Sequence, residues 1–202
     1  TCNGNFHGRT TTIISFSSSK GSKENFGPLT PGFEIIDYNN IEQLEDVLKK
    51  DKNIAGFLVE PIQGEGGVVV PDDGYLSKAK KLCEKYNVLF IADEIQTGIG
   101  RTGKLLASWH EDIIPDIVIL GKALSAGFYP VSGVLTSKEI MSVMQVGSHG
   151  STFGGNPLAG VVAKASIKYT LDYKLSENAE NLGKIFRDGL EEIKSRRKII
   201  KG

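Results

Sequence analysis

Hydrophobic positions along the chain switch repeatedly between two periods. In Ile41–Lys50 the apolar residues Ile41, Leu44, Val47 and Leu48 fall on one face of a 3.6-residue helix. Directly after it, Ile54-Ala-Gly-Phe-Leu-Val59 is an unbroken apolar run that stops at Glu60-Pro61, as a buried strand would. Tyr75–Tyr86 returns to helical spacing with Leu76, Ala79, Cys83 and Tyr86 aligned, and residues 88–92 (Val-Leu-Phe-Ile-Ala) are again continuous. A Gly-rich loop over 97–103, a strand over Ile117–Leu120, a short strand over 131–136 and a short helix over 138–144 follow. Past the Gly/Ser-rich segment 147–155 the spacing predicts two long helices, 158–173 and 176–198, while 15–22 reads as a polar loop. Continuously apolar strands separated by helices predict an α/β fold with a mostly parallel sheet flanked by helices on both faces.

That architecture directs attention to strand ends, because open α/β sheets collect ligands at the carboxyl edge. Three successive apolar runs end in Glu60, Asp93 and Lys122. Lys122 follows Ile117–Leu120 and Gly121 and opens onto the small residues 123–127; burial there is expected to favour the neutral, nucleophilic amine. A lysine that can form a Schiff base and an aspartate that can pair with a pyridinium nitrogen are the two groups a pyridoxal phosphate site most needs. The competing reading makes Lys122 a snorkelling surface lysine and Asp93 a helix cap or surface charge. Glu60, just before Pro61, is expected to be structural and to hydrogen-bond the wall of the site.

Composition narrows the field. Among 202 residues, 24 Lys+Arg balance 24 Asp+Glu, which argues against nucleic acid and anionic membrane as partners. The basic cluster Lys194, Arg196, Arg197, Lys198 and Lys201 reads as a solvated helix end. No apolar stretch reaches the roughly 18–20 residues of a membrane span. Cys2 and Cys83 make no disulfide framework and have no metal-ligand company, and His7, His110 and His149 lack partners at metal or triad spacing, so none is assigned chemistry. The expectation is a soluble intracellular protein of the cytoplasm or the mitochondrial matrix, the cytoplasm first. One rival motif needs weighing: 98–104 (Gly-Ile-Gly-Arg-Thr-Gly-Lys) resembles a phosphate-binding loop after the Asp93-Glu94 strand, as in a P-loop nucleotide hydrolase. Leu105 stands where a magnesium-binding hydroxyl is needed, and the loop has no strand–loop–helix unit of its own.

Five segments resemble one family in order and spacing: Asn3-Gly-Asn-Phe-His-Gly-Arg-Thr10, Val59-Glu-Pro-Ile-Gln-Gly-Glu-Gly-Gly67, Ala92-Asp-Glu-Ile-Gln-Thr-Gly98, Leu120-Gly-Lys-Ala-Leu124 and Gly150-Ser-Thr-Phe-Gly-Gly-Asn-Pro157. They are similar to the class III (ω-)aminotransferases that depend on pyridoxal 5'-phosphate. Within that family the surrounding wording is most similar to the branch acting on ornithine; acetylornithine and 4-aminobutyrate enzymes are the alternatives. The resemblance implies the large domain of a fold-type I transferase over residues 1–175, with 176–202 a helix leading toward a small C-terminal domain. It implies that these residues alone do not make a competent transaminase, because an upstream phosphate loop and that small domain lie outside them.

The resemblance also assigns roles. Lys122 would bind the cofactor covalently and shuttle a proton, and Asp93 would pair with the ring nitrogen. Ile95 and Gln96 would meet a ring face and the ring hydroxyl, and Phe6 would stack on the other face. Ser151 and Thr152 would reach the cofactor phosphate of a neighbouring subunit, implying a homodimer with a shared site. Arg9 would hold a substrate carboxylate, and Glu65 would neutralise a second arginine. The small-molecule partners implied are an amino acid and a 2-oxo acid. A scaffold that had kept the fold without catalysis would be expected to lose Lys122 or Asp93 first, and both are present.

Overall fold

A computed structural model describes residues 1–197, 199 and 200 of the chain. Lys198, the last residue of the predicted final helix, and Lys201 of the basic cluster lie outside the described residues. Two short helices, α1 (Thr11–Ser15) and α2 (Lys20–Lys23), open the chain, so one helical turn interrupts the polar loop expected over 15–22. Then come α3 (Ile41–Lys50), β1 (Gly56–Val59), α4 (Tyr75–Tyr86), β2 (Leu89–Asp93), β3 (Ile117–Leu120) and β4 (Gly133–Thr136). The chain closes with α5 (Lys138–Met141), α6 (Pro157–Asp172) and α7 (Leu175–Arg196). Two 3-10 turns, Ala107–Glu111 and Lys122–Ser125, flank β3.

The sheet runs β1-β2-β3-β4, with β1, β2 and β3 parallel and β4 antiparallel to β3. Its burial alternates as the pleat requires. Phe57, Val59, Phe90 and Ala92 are buried against Leu44 and Leu48 of α3 and Leu76, Ala79 and Cys83 of α4. Each fully buried Phe, Val or Leu among these contributes about 1.5–3 kcal/mol. The opposite side is less covered: Leu58, Leu89, Ile91, Ile117 and Ile119 stay half-buried, and Val134 and Leu135 of β4 are exposed. The helix layer expected on both faces is therefore dense on one face.

Local rules explain the element ends. Asn40 and Asn156 cap α3 and α6 by accepting from Gln43 N and Ala159 N, and Pro157 sits where a missing N–H costs nothing. The cap of α4 comes from elsewhere in the chain. Gly74, left-handed at φ 81°, has no side chain to offer, and Glu111 accepts from Leu76 N and Ser77 N instead. Asp116 ties the sheet to this layer by accepting from Phe90 N at 2.8 Å and from Lys80 Nζ.

Both cysteines lie in this core. Burial pushes the Cys2 thiol up to about 11 and the Cys83 thiol up to about 12. The thiolate is the reactive form, so neither should react with a disulfide reagent near neutral pH while the fold is intact. Mass spectrometry of the two cysteine peptides, before and after denaturation, is expected to show labelling only afterwards. Prompt labelling of the native protein would contradict the packing described.

Candidate functional site

Three parallel neighbours place their carboxyl ends on one edge of the sheet. Val59 is in register with Ala92, and Asp93 with Ile119, so Glu60, Asp93 and the Gly121-Lys122 pair follow one another across adjacent strands. Asp93 is the last residue of β2 and not just past it, one residue later than the apolar run suggests. A Cβ on Gly121 would lie 3.5 Å from the Ile95 side chain, so Ile95 stands against the backbone that leads into Lys122.

The opening segment is laced onto this edge. Gln63 Nε2 donates to Asn3 O at 2.7 Å, and the buried Asn5 donates to Cys2 O and Phe16 O. Phe6 N donates to Glu60 Oε2 at 3.1 Å. Glu60 is buried, its backbone carbonyl accepts from Tyr38, and desolvation raises its carboxyl above the ordinary range. It holds the wall, as expected. His7 reaches farther: its Nδ1 lies 2.7 Å from Asp93 Oδ2, with the two side chains 2% and 4% exposed. Asp93 Oδ1 accepts from Ile95 N at 3.0 Å. The expectation that His7 has no chemical partner is thus corrected. Eighty-six positions separate the pair, which local spacing cannot reveal; the available signal was that His7 shares its motif with Phe6.

Adjacent carboxylates divide the work. Glu94 points away from this edge, is 1% exposed, and accepts from Thr97 Oγ1, from Ala107 N at 3.0 Å and from Ser108 N at 2.8 Å. Gln96 packs against Gly64, where an added Cβ would lie 2.5 Å from its Oε1. Its Nε2 is buried and has no hydrogen-bond partner among the described residues. Unpaired buried donors are costly and rare, so this one marks a position suited to an acceptor from outside the chain.

Lys122 departs from expectation. It adopts φ 43°, left-handed for a non-glycine residue, and its side chain is exposed. Among the described residues nothing roofs this strand end, so the burial expected around Lys122 is absent there. The side chain borders an open hollow of about 420 Å³ with Ser125, Tyr129 and Ser132. Arg9 is exposed, with its guanidinium 5.3 Å from the Phe6 ring centre, a cation–π arrangement. Glu65 is exposed and makes no ion pair with Arg9 among the described residues. Ser151 and Thr152 stand on an exposed segment where Ser151 Oγ accepts from Gly154 N. The phosphate-loop rival fails on geometry. Gly100 packs against Thr170 and Ser176 of α6 and α7, Lys104 donates to Trp109 O, and no helix opens at Leu105.

Comparison with known proteins identifies the family. The family model described as aminotransferase class-III matches residues 1–202. The mitochondrial ornithine aminotransferase of Drosophila melanogaster is 55% identical over 189 residues, 94% of this chain and 44% of the relative. The solved ornithine aminotransferase of Toxoplasma gondii superposes with a TM-score of 0.93 at 54% identity, covering 95% of this chain and 45% of that one. The acetylornithine aminotransferase of Elizabethkingia anophelis superposes at 0.82 with 60% identity, covering 85% and 45%. The chain spans about half the length of the curated relatives it matches. With the family model matching from end to end, the chain belongs to the class III aminotransferases.

Proposed function

We propose that this chain is the cofactor-binding part of an aminotransferase that moves the δ-amino group of L-ornithine to 2-oxoglutarate, giving glutamate-5-semialdehyde and glutamate. The observation that carries the reading is the single sheet edge on which a buried, hydrogen-bonded Asp93 and the exposed Lys122 stand at the ends of neighbouring parallel strands. The similarity to ornithine enzymes from fly and Toxoplasma supports the substrate.

The residues present fit pyridoxal phosphate, a cofactor named at the active site of the Toxoplasma relative. The buried Asp93 carboxylate suits a protonated ring nitrogen, and the unpaired Gln96 Nε2 suits the ring hydroxyl. When bound, the cofactor supplies an electron-withdrawing ring that stabilises negative charge at the substrate's reacting carbon. Lys122 Nζ would hold the cofactor and, once released by the incoming amine, carry the proton from the substrate's reacting carbon to the cofactor's carbonyl carbon. Asp93 would keep the proton on the ring nitrogen, while Phe6 and Ile95 would cover the ring and exclude water. Arg9, carried beside Phe6, would clamp a substrate carboxylate with two parallel hydrogen bonds. Glu65 would pair with a second arginine when the amine substrate is bound. The exposed hydroxyls of Ser151 and Thr152 suit a phosphate held by a second subunit, and we infer a homodimer with shared sites.

The cofactor-binding unit in this reading is residues 1–175. Among the described residues no helix is long and apolar enough to cross a membrane. We place the enzyme in the cytoplasm or the mitochondrial matrix; the Drosophila relative is named mitochondrial.

A second reading, transfer from acetylornithine, is favoured by the 60% identity to the Elizabethkingia enzyme. The visible absorption of the full-length protein with pyridoxal phosphate separates them. A yellow band that bleaches with L-ornithine, and not with acetylornithine or 4-aminobutyrate, is the expected result. Bleaching with acetylornithine alone would install the second reading, and no band at all would overturn the cofactor assignment.

A further inference from the structure

We propose that His7 is a positioning residue for Asp93: its imidazole fixes the plane of the carboxylate that faces the cofactor's ring nitrogen. The proposal rests on the reading of Asp93 given above and goes beyond it by assigning the group that aims Asp93.

Asp93 is buried, and among the described residues no lysine or arginine lies within ion-pair distance of it. Its compensation comes from two donors, one on each oxygen. Ile95 N serves Oδ1 from two residues away, a local link of the kind that turns make by themselves. That bond alone leaves the carboxylate free to swing about it. His7 Nδ1 serves Oδ2 from a distant segment, and the second point fixes the plane.

The imidazole is itself held. Its side chain is 2% exposed, its ring sits 5.8 Å from that of Phe16, and its Nε2 lies 3.3 Å from Thr1 Oγ1. Nδ1 faces the carboxylate and Nε2 faces the Thr1 hydroxyl, so both ring nitrogens have partners. The same contact helps locate the loop that carries Phe6 and Arg9, together with Phe6 N on Glu60 and the ties of Asn3 and Asn5.

A double-mutant cycle on the full-length protein tests this, read as the dissociation constant for pyridoxal phosphate by absorbance or fluorescence titration. His7→Ala is expected to weaken binding by about 10- to 100-fold, the range for loss of a hydrogen bond to a charged group or of an outer-shell partner. In an Asp93→Asn background the same change should cost no more than about twofold, because the group through which His7 acts is already altered. His7→Asn, which keeps a donor near the Nδ1 position, should recover most of the affinity, and His7→Gln, which moves it, should not.

The thermal midpoint of the cofactor-free proteins identifies any variant that has lost its fold, and the Asn/Gln pair then carries the test. Equal losses from His7→Ala in both backgrounds would make His7 merely structural and overturn the proposal, as would wild-type affinity in His7→Ala. Wild-type affinity in Asp93→Asn would instead remove the reading of Asp93 on which the proposal stands.

Discussion

Lys122→Ala in the full-length protein is expected to lose transamination by at least about 10²–10⁴-fold, the size of the proton-transfer contribution alone. The fold should survive. Lys122 is exposed, its Nζ makes no hydrogen bond or ion pair among the described residues, and exposed substitutions of this kind usually stay within about 0.5 kcal/mol. Alanine inherits the left-handed backbone at φ 43°, so the strain already present is neither relieved nor much increased. Lys122→Arg is the sharper companion variant. It keeps positive charge at the edge but cannot present a neutral amine, so it should be as inactive as alanine. Steady-state rates with L-ornithine and 2-oxoglutarate, set beside thermal midpoints, check both. Near-wild-type turnover in Lys122→Ala would remove Lys122 from the mechanism.

That expectation stands on position, and position was legible in the residues. Helix and strand periods placed Ile41–Lys50, Tyr75–Tyr86 and Ile117–Leu120 at their observed bounds because each has one strongly apolar face or run. The strand Ile117–Leu120 and its parallel neighbour β2, which ends at Asp93, put Asp93 and Lys122 on one edge. What periodicity could not convey was the environment of each side chain. Lys122 follows a half-buried strand, yet its left-handed turn swings the side chain outward, and no linear pattern encodes that sign of φ. Asp93 and Glu94 are neighbours of the same chemistry, but β2 alternation sends one toward His7 and the other into the loop that follows. His7 carries no local signal, because its partner lies 86 positions away. The antiparallel direction of β4 was likewise hidden, since a short apolar run reads the same in either direction.

The division between Asp93 and Glu94 carries the second large effect, on stability. Glu94→Ala is expected to destabilise the protein by about 2–4 kcal/mol, since it strands two buried N–H groups, each costing about 1–3 kcal/mol when unpaired. Those donors, Ala107 N and Ser108 N, open the 3-10 turn Ala107–Glu111, where a carboxylate is also favoured by the local dipole. The consequence travels. Glu111 at the end of that turn is the cap of α4, accepting from Leu76 N and Ser77 N in place of a side chain that Gly74 cannot provide. Loss of Glu94 therefore loosens the turn first and the start of α4 through it. Glu94→Gln should be less damaging than alanine, because its carbonyl oxygen still accepts on one side while its NH2 opposes a backbone N–H on the other. Urea unfolding should show a lower midpoint with an unchanged slope, and hydrogen exchange should rise at Ala107 and Ser108, then at Leu76 and Ser77. If exchange rose at the turn while α4 kept its protection, the two caps would be independent and the relay between them would be wrong.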